Sequence, residues 1–345
     1  MTTHDVPPDD LPTDAATPRL KLRDGDDLAR AVPHLIGFHP SRSLIAVAVD
    51  AATGLLRVAL RVDAPATRRE ARLAGLRLGE LMTRAGAGSA YVTYYDAPPD
   101  SASDDLAAEA RHCLERTRSR ERDIAAGMAA VGVDTLFLWP SEPSGAATSR
   151  VDVAQLSAVL DGRPTFRSRD DVRSLLAPLG GAARGEVAEQ IDALQSTALG
   201  EWDLLDAACQ VLAQRAEARR LGHPVPRTTP SDIALCALAA SHVPTRDRLL
   251  TVIAADRALD GADVWLESAQ LVPTTYVASV ATMAAVCAYL RGNGVLAGCA
   301  IDRALETDPH HSLAALMEVT LEHGIPPDEV RQMLESCLDD RPAVG

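Results

Sequence analysis

The sequence predicts an α/β + all-α protein, with an α/β sandwich on a mixed sheet in front and an all-helical, repeat-like domain behind. Strand-like and helix-like stretches alternate between residues 44 and 139. From Arg184 onward strand signals vanish and helical stretches follow one another. Aromatic residues are only 3% of the chain, so the core is filled mainly by Ala, Leu and Val, which favours closely packed helices.

These patterns divide the chain into three predicted regions. Residues 1–18 are polar and rich in Asp, Pro and Thr, so we expect a disordered leader that is neither a signal peptide nor an anchor. Residues 19–181 form the predicted α/β domain, which ends near the Gly180-Gly181 pair. Residues 182–345 form the predicted all-helical domain.

In the front domain, alternation of apolar residues predicts strands, and helical spacing behind capping residues predicts helices. Asp24 is expected to cap the first helix and Pro33 to end it. Gly54 suits the turn of an antiparallel hairpin. The predicted strands are residues 19–22, 44–49, 55–62, 90–95 and 133–139. The predicted helices are residues 26–33 and 67–85, one long helix behind Ser101 through residue 130, and a short helix behind Ser168.

The rear domain is predicted as a succession of helices. Thr229, Pro230 and Asp232 mark a clear helix start, with a cap, a proline in the first turn and an acid. The predicted helices are residues 186–221, 231–241, 245–259, 263–270, 275–290, 295–306, 312–323 and 328–338.

Charge and composition narrow the function classes. The formal charge of −14, from 34 basic and 48 acidic residues, argues against nucleic acid binding, which needs many uncompensated Lys and Arg contacts. No run of about twenty apolar residues occurs, so no membrane partner is expected. The six cysteines are scattered without the spacing of a zinc site, which indicates buried thiols in a reducing compartment. We therefore predict a soluble, cytoplasmic protein.

The turn at residues 37–43 is the first candidate site. Gly37 and the His39-Pro40 pair shape a tight turn that delivers polar side chains to the start of a strand, and such loops commonly carry function. The same residues could also serve only to shape the turn. Thr245 and Arg246 open a helix, where Arg246 could face a partner or only form an ion pair. The predicted binding residues are His34, His39, Arg42, Ser43, Arg61 and Arg246.

A hydrolase-like mechanism would use Ser43 or Ser41 as the nucleophile. His39 or His34 would act as the base and Asp63 as the acid, provided that the turn brings base and nucleophile within hydrogen-bond reach. The nucleophile elbow of the Gly-x-Ser-x-Gly type is missing from the sequence.

Metal and cofactor sites are not predicted. The spacing of His34 and His39 matches no standard metal-ligand pattern, and the His310-His311 pair is expected at the surface with its side chains pointing apart. The glycines of Gly180-Gly181 and of Gly292-Asn293-Gly294 resemble helix boundaries and not phosphate-binding loops, because neither group follows a strand. We therefore expect no metal and no cofactor.

Several segments resemble a family of actinobacterial proteins known as domain of unknown function 4192. The resemblance runs through residues 26–45, which include the block Gly37-Phe38-His39-Pro40, and then through residues 61–65, 245–247, 290–297 and 304–309. The family has no assigned activity, so the resemblance implies a fold class and no chemistry. Separately, Gly292, Ala297, Ala304 and Pro309 have the spacing of one tetratricopeptide-like helix pair.

Two functions follow from these patterns. The first is a non-enzymatic binding, regulatory or scaffold module, in which the helical half contacts a protein partner or a second copy and the α/β half binds a ligand. The alternative is a hydrolase-like enzyme, or a small-ligand-binding protein, with its site at the turn of residues 37–43.

Overall fold

A four-stranded mixed sheet forms the front of the protein in the computed structural model. The structure describes residues 24–49, 56–96, 104–141, 165–197, 199–259 and 261–336. The strands are β1 (Ser43–Val49), β2 (Leu56–Asp63), β3 (Ser89–Tyr95) and β4 (Asp134–Phe137), in the spatial order β2-β1-β3-β4. Strand β1 is antiparallel to β2 and β3, which confirms the predicted hairpin, whereas β3 and β4 are parallel. The strand predicted at residues 19–22 lies outside the described residues.

Helices cover both faces of this sheet. Successive side chains of a strand point to opposite faces, and both faces carry apolar residues. On one face, Ile45 and Val47 pack against helix α1 (Gly25–Ile36). On the other face, Leu44 and Ala46 pack against α2 (Arg68–Arg84) and α4 (Glu121–Ala129). The prediction of a mixed α/β front with a helical rear part is therefore confirmed.

Helix α1 begins as predicted but ends later. The Asp24 side chain accepts a hydrogen bond from Asp27 N, as expected of an N-cap. The prediction that Pro33 ends the helix is wrong, because Pro33 lies inside it. A proline removes only its own N–H bond, and its carbonyl still accepts a hydrogen bond from Gly37 N at 2.8 Å. The helix ends where Gly37 takes the left-handed conformation, with φ of 85°.

The long helix predicted through residue 130 is in fact two helices. Helix α3 (Asp104–Arg118) stops, and α4 begins after a tight turn in which Arg120 N donates to Thr117 O at 3.0 Å. The turn lets α4 cross α2 at glycine positions: a Cβ atom on Gly127 would lie 2.3 Å from Arg72 O. Ser101, the predicted cap, lies outside the described residues.

Within the described residues, no strand follows β4, and the rear part consists of helices joined by turns and loops. A short helix precedes it, α5 (Arg169–Ser174), with the predicted capping box of Ser168 and Asp171. The remaining helices are α6 (Ala182–Ser196), α7 (Glu201–Arg220), α8 (Pro230–Ser241), α9 (Val243–Ala255), α10 (Ala262–Leu271), α11 (Thr274–Leu290), α12 (Gly294–Thr307), α13 (Ser312–His323) and α14 (Pro327–Ser336), with a 3-10 turn at Arg257–Leu259.

Most of these helices agree with the predicted ranges, and the capping box at Thr229 and Asp232 is present. The single helix predicted over residues 186–221 is wrong, because α6 and α7 are separated near Gly200. Gly200 N donates to the Asp203 carboxylate at 3.0 Å and starts a new helix. None of the helices in the described part combines the length and hydrophobicity needed to cross a membrane.

The front and rear parts share a hydrophobic core. One cluster of buried side chains includes Val32 and Ile45 of the front and Trp265 and Met283 of the rear. Because this cluster crosses residue 181, the division into two domains there stays a prediction. The tetratricopeptide-like pairing of helices near the C-terminus likewise stays a prediction.

Candidate functional site

The predicted turn lies beside the carboxyl end of β3. The antiparallel register pairs Ser43, the first residue of β1, with Tyr95, the last residue of β3. Ligands of open α/β sheets commonly bind outside the carboxyl ends of parallel strands, and β3 runs parallel to β4. We call the residues that meet at this place the corner site. They are His34, His39, Arg42, Ser43, Arg61, Tyr95 and Asp96.

A buried acid holds the backbone of the turn. Asp96 is 7% exposed and accepts a hydrogen bond from Arg42 N at 3.1 Å through Oδ1. Its Oδ2 accepts from the Tyr94 hydroxyl at 3.1 Å. Burial, together with the nearby Cys113 and Asp96, raises the pKa of Tyr94, so its proton stays in place. Arg42 itself has φ of 43°, and its guanidinium forms a 2.7 Å ion pair with Glu109 of α3.

Both candidate histidines contact hydroxyl groups. His39 is exposed, and its Nδ1 lies 3.0 Å from the Tyr95 hydroxyl. His34 is half-buried, and its Nδ1 lies 2.9 Å from the Thr165 hydroxyl. A backbone hydrogen bond from His39 N to Phe166 O, at 3.0 Å, holds the two segments together. Burial and then the charge of His39 lower the pKa of His34.

Ser43 is buried and its hydroxyl is engaged in the sheet. Ser43 Oγ donates to Ser41 O at 2.7 Å and accepts from Arg61 Nε at 2.9 Å. The Arg61 guanidinium also pairs with Asp63, the acid of the hydrolase hypothesis. His39 Nδ1 lies against the Tyr95 hydroxyl, and the Ser43–His39 base–nucleophile pair stays a prediction.

Sequence reasoning missed Thr93, Tyr95 and Asp96. Thr93 lies two residues before Tyr95 on the same face of β3, and it is fully buried. Its hydroxyl has no hydrogen-bond partner within the described residues. A buried hydroxyl without a partner costs free energy, so it marks a place where a ligand or water oxygen would be favourable.

The structure places Arg246 in α9 of the rear part, apart from the corner site. Arg246 is 9% exposed, and its Nε and Nη2 both donate to Asp247 Oδ1, at 2.9 and 2.7 Å. The ion-pair interpretation therefore accounts for its buried guanidinium.

His310 is exposed as predicted, but the surface prediction for His311 is wrong. His311 is half-buried and caps helix α13, with its Nδ1 accepting from Ala314 N at 3.3 Å. The cap buries the ring against α11, where Nε2 lies 3.5 Å from the Ser279 hydroxyl.

The described residues contain no group of three or more His, Cys, Asp or Glu side chains that could hold a metal ion. The side chains of the corner site offer imidazole, guanidinium, hydroxyl and carboxylate groups for hydrogen bonding. This arrangement is suited to recognising a polar group.

A family model described as "Domain of unknown function (DUF4192)" matches residues 26–328. The matched range includes every residue of the corner site and Arg246. No curated protein and no solved structure matches the chain.

Proposed function

Because the chain belongs to the DUF4192 family, whose description assigns no activity, we propose a function from the geometry of the site. The protein is a non-enzymatic binding module whose front part holds a small polar ligand at the corner site. Its helical part provides a surface for protein contacts.

The backbone of Arg42 is the observation that carries this proposal. Arg42 is the one residue other than glycine with a positive φ among the described residues. A left-handed conformation costs a residue with a side chain about 1–2 kcal/mol, so the surrounding structure must hold it in place. Asp96 does so through the Arg42 N–H group. Strain of this kind accumulates at binding sites and active sites, where it fixes the direction of functional groups.

The surroundings of Arg42 support binding. Exposed His39 and half-buried His34 lie next to the turn, and the Thr93 hydroxyl is unpaired within the described residues. Catalysis by Ser43 has less support, because its hydroxyl donates to Ser41 O and its side chain is fully buried. A nucleophile must present its oxygen to a substrate and its proton to a base.

A thermal-shift screen against chemically varied compounds tests the ligand site. The panel contains small carboxylates, phosphates, neutral sugars and nucleosides. We expect one chemical class to raise the melting temperature of the wild type, because a ligand at about 100 times its Kd stabilises the fold by about 2.7 kcal/mol. The shift should shrink in His39→Gln and Tyr95→Phe. It should persist in His223→Gln, which changes an exposed histidine of the rear part.

An equal shift in wild type and His39→Gln for every compound would place binding elsewhere, and a panel without any shift would remove the ligand proposal.

A second candidate function, protein contact through the helical part, has its own observation. Trp202 of α7 is 54% exposed, and the Arg248 guanidinium stacks on its ring, 4.5 Å from the centroid. Val243, at the neighbouring start of α9, is 53% exposed. Trp and Arg are the residue types that most often dominate protein interfaces.

The test is a pull-down with a matched control. The wild type should retain a reproducible partner that Trp202→Ser/Val243→Ser loses. Leu136→Ser, which alters an equally exposed apolar residue on β4, should retain it. Retention by all three proteins, or by none, would contradict a contact role for the surface around Trp202.

A further inference from the structure

The described sheet ends in two edge strands, β2 and β4, which differ in how they are protected. On β2, Arg61 and Asp63 are charged and exposed, and the pairing with β1 is irregular between Ala48 and Val49. Charged side chains and irregular pairing are features that keep an edge from joining another strand. On β4, residues 135–137 carry neither a charge nor a proline, and the register with β3 is regular. The β4 edge therefore lacks both kinds of protection.

The backbone of β4 presents unpaired hydrogen-bonding groups at this edge. The N–H groups of Asp134 and Leu138 donate to carbonyls of β3, both at 2.9 Å, so alternate residues of β4 direct their backbone groups toward β3. The N–H and C=O groups of Thr135 and Phe137 consequently point outward. They make no backbone hydrogen bond within the part of the chain that the structure describes. Such outward groups are the ones with which an added strand pairs.

An apolar side chain is exposed at the same place. Leu136 lies between these two residues and is 55% exposed. Its neighbour in the register is Tyr91 of β3, which packs against the buried cluster that includes residues of α1. Leu136 therefore lies on the face of the sheet that α1 covers, but at an edge that α1 leaves open. A strand added at this edge would cover Leu136 and satisfy the outward backbone groups together.

We propose that the β4 edge joins the β4 edge of a second copy of this chain, in an antiparallel pair centred on Leu136. Thr135 of each copy then exchanges two backbone hydrogen bonds with Phe137 of the other, which satisfies the four outward groups of each chain. Leu136 meets Leu136 of the other copy at the centre, where side chains on one face approach to about 5 Å. The two four-stranded sheets become one sheet of eight strands. This self-association goes beyond the proposed ligand site.

The length of the free edge favours a second copy over a strand of another protein. At one end, Val133 N donates to Met128 O in the turn that follows α4. At the other end α1 begins, and a Cβ atom on Gly25 would lie 2.5 Å from Trp139 O. A long strand would meet both obstacles, whereas β4 itself has the matching length of four residues. The outward groups are also symmetric about Leu136, as a two-fold contact requires.

The symmetric pair leaves room at both ends. Trp139, beside the start of α1, follows Leu136 by three residues, and Val133 precedes it by three. The start of α1 in one copy therefore faces the turn at Gly132 in the other. A Cβ atom on Gly132 would have no neighbour within 4 Å, so this turn leaves open space for the helix start. In the same register Asp134 stands opposite Leu138, so no like charges meet between the strands.

Sedimentation velocity on the full chain tests the proposal between about 1 μM and about 300 μM, the range in which a small interface dissociates. We expect the average mass of the wild type to rise from one chain toward two. Leu136→Lys and Leu136→Asp should each stay monomeric, because like charges would stand directly opposite each other. An equimolar mixture of the two variants should associate, because the charges are then opposite. Leu73→Lys, at a similarly exposed leucine of α2, is the matched control and should dimerise like the wild type.

A proline tests the backbone separately from the side chains. Thr135→Pro removes an outward N–H group and leaves the hydrogen bonds between β3 and β4 in place, so we expect it to abolish association. Circular dichroism checks that this variant is folded. Amide hydrogen exchange makes the same test on the wild type, where the Thr135 and Phe137 amides should become protected as the protein concentration rises.

Each result supports or overturns the second copy as the occupant of this edge. A wild type that stays monomeric at every concentration would overturn it, and protected Thr135 and Phe137 amides in that monomer would assign the edge to another strand of the same chain. A dimer that persists in Leu136→Lys would place self-association elsewhere on the protein. A mixture of the Lys and Asp variants that fails to associate, although the wild type dimerises, would contradict the pairing of Leu136 with its own copy.

Discussion

At the scale of single residues, Arg42 is the residue of the proposed site whose backbone is strained. Its positive φ turns the chain sharply between His39 and Ser43, and its N–H group points at buried Asp96. The side chain contributes little to stability, because its ion pair with Glu109 is exposed and such pairs are worth about 0–1 kcal/mol. The backbone conformation is therefore the feature to test.

Two substitutions at this position separate backbone from side chain. We expect Arg42→Gly to keep the unfolding free energy within about 1 kcal/mol of wild type, since glycine adopts positive φ at little cost. Arg42→Val should lower it by a further 1–3 kcal/mol or so, because a β-branched residue resists this conformation. Urea unfolding measures both values, and Glu109→Gln controls for the lost ion pair. A valine variant as stable as the glycine variant would show that the position is unstrained.

Single residues also show what the sequence could and could not predict of the site. The turn and the places of His39 and Ser43 follow from local glycine and proline chemistry. Tyr95 and Asp96 could not be found in this way, because more than fifty residues separate them from the turn. Their proximity results from β1 pairing with β3, and strand order depends on tertiary packing that local patterns do not encode. The roles of the predicted site residues stay predictions.

At the scale of elements, α2 and α4 pack closely because glycines face each other. A Cβ atom on Gly75 would lie 2.1 Å from Ile124 O, closer than any real contact. We expect Gly75→Ala to destabilise the protein by roughly 1–3 kcal/mol, since the helices must move apart. Gly185→Ala is the matched control, because Gly185 lies in α6 with open space around it. This control should gain about 0.5–1 kcal/mol from helix propensity. Equal effects of the two alanines in chemical denaturation would contradict the close packing.

The start of α13 should depend on pH through His311. Burial and the charge of Arg246 lower the pKa of His311, against a smaller opposite effect of Asp308. The unfolded chain then binds the proton more tightly, so the contribution of the cap is full above about pH 6.5. It is lost as the pH falls from there toward the lower pKa of the folded state. Protonation of Nδ1 also removes the acceptor for Ala314 N.

We therefore expect His311→Asn to be less sensitive to acid than wild type, because asparagine caps helices at any pH in this range and a cap is worth about 1 kcal/mol. His310→Asn, at the exposed neighbour, should keep the wild-type pH profile. The unfolding free energies of the wild type and the two variants are compared between about pH 8 and about pH 5. His34 has a lowered pKa as well and titrates in all three proteins, so only the difference between variants reports on His311. Parallel profiles for all three proteins would exclude the cap as a proton-sensitive group.

Element boundaries were predictable where local chemistry sets them. The capping boxes at Ser168 and Thr229 start helices as predicted, because a side chain satisfies the first free N–H groups. The break between α3 and α4 was missed because Ser119 and Arg120 are not strong helix breakers. There the packing of α4 on α2 decides the geometry, and that contact is tertiary. The break near Gly200 had a local signal, a glycine followed three residues later by an acid.

At the scale of the whole molecule, the front and rear parts are joined by packing and by capping contacts. Arg84 of α2 donates to His323 O at 2.5 Å, and Arg77 donates to Glu322 O, so two arginines bind the C-terminal carbonyls of α13. Cations are favourable at that end of a helix. One cluster of buried side chains also runs through both parts.

Because the front and rear parts are packed together, we expect the protein to unfold in a single transition. Trp139 reports on the front part, and buried Trp265 reports on the rear part. In each variant that keeps only one of these tryptophans, with the others replaced by Phe, tryptophan fluorescence should report a single urea transition. Because Trp265→Phe leaves a cavity, each variant is also followed by circular dichroism, and the two signals should coincide within it. Separate midpoints would instead favour independent domains divided near residue 181.

The most direct test of the binding-module account is amide chemical-shift mapping with the first compound that stabilises the protein. The account predicts that the largest changes fall in residues 37–43 and 93–96, with the amides of α7 and α9 around Trp202 unchanged. Changes concentrated away from the turn and the end of β3, with those two segments silent, would contradict it.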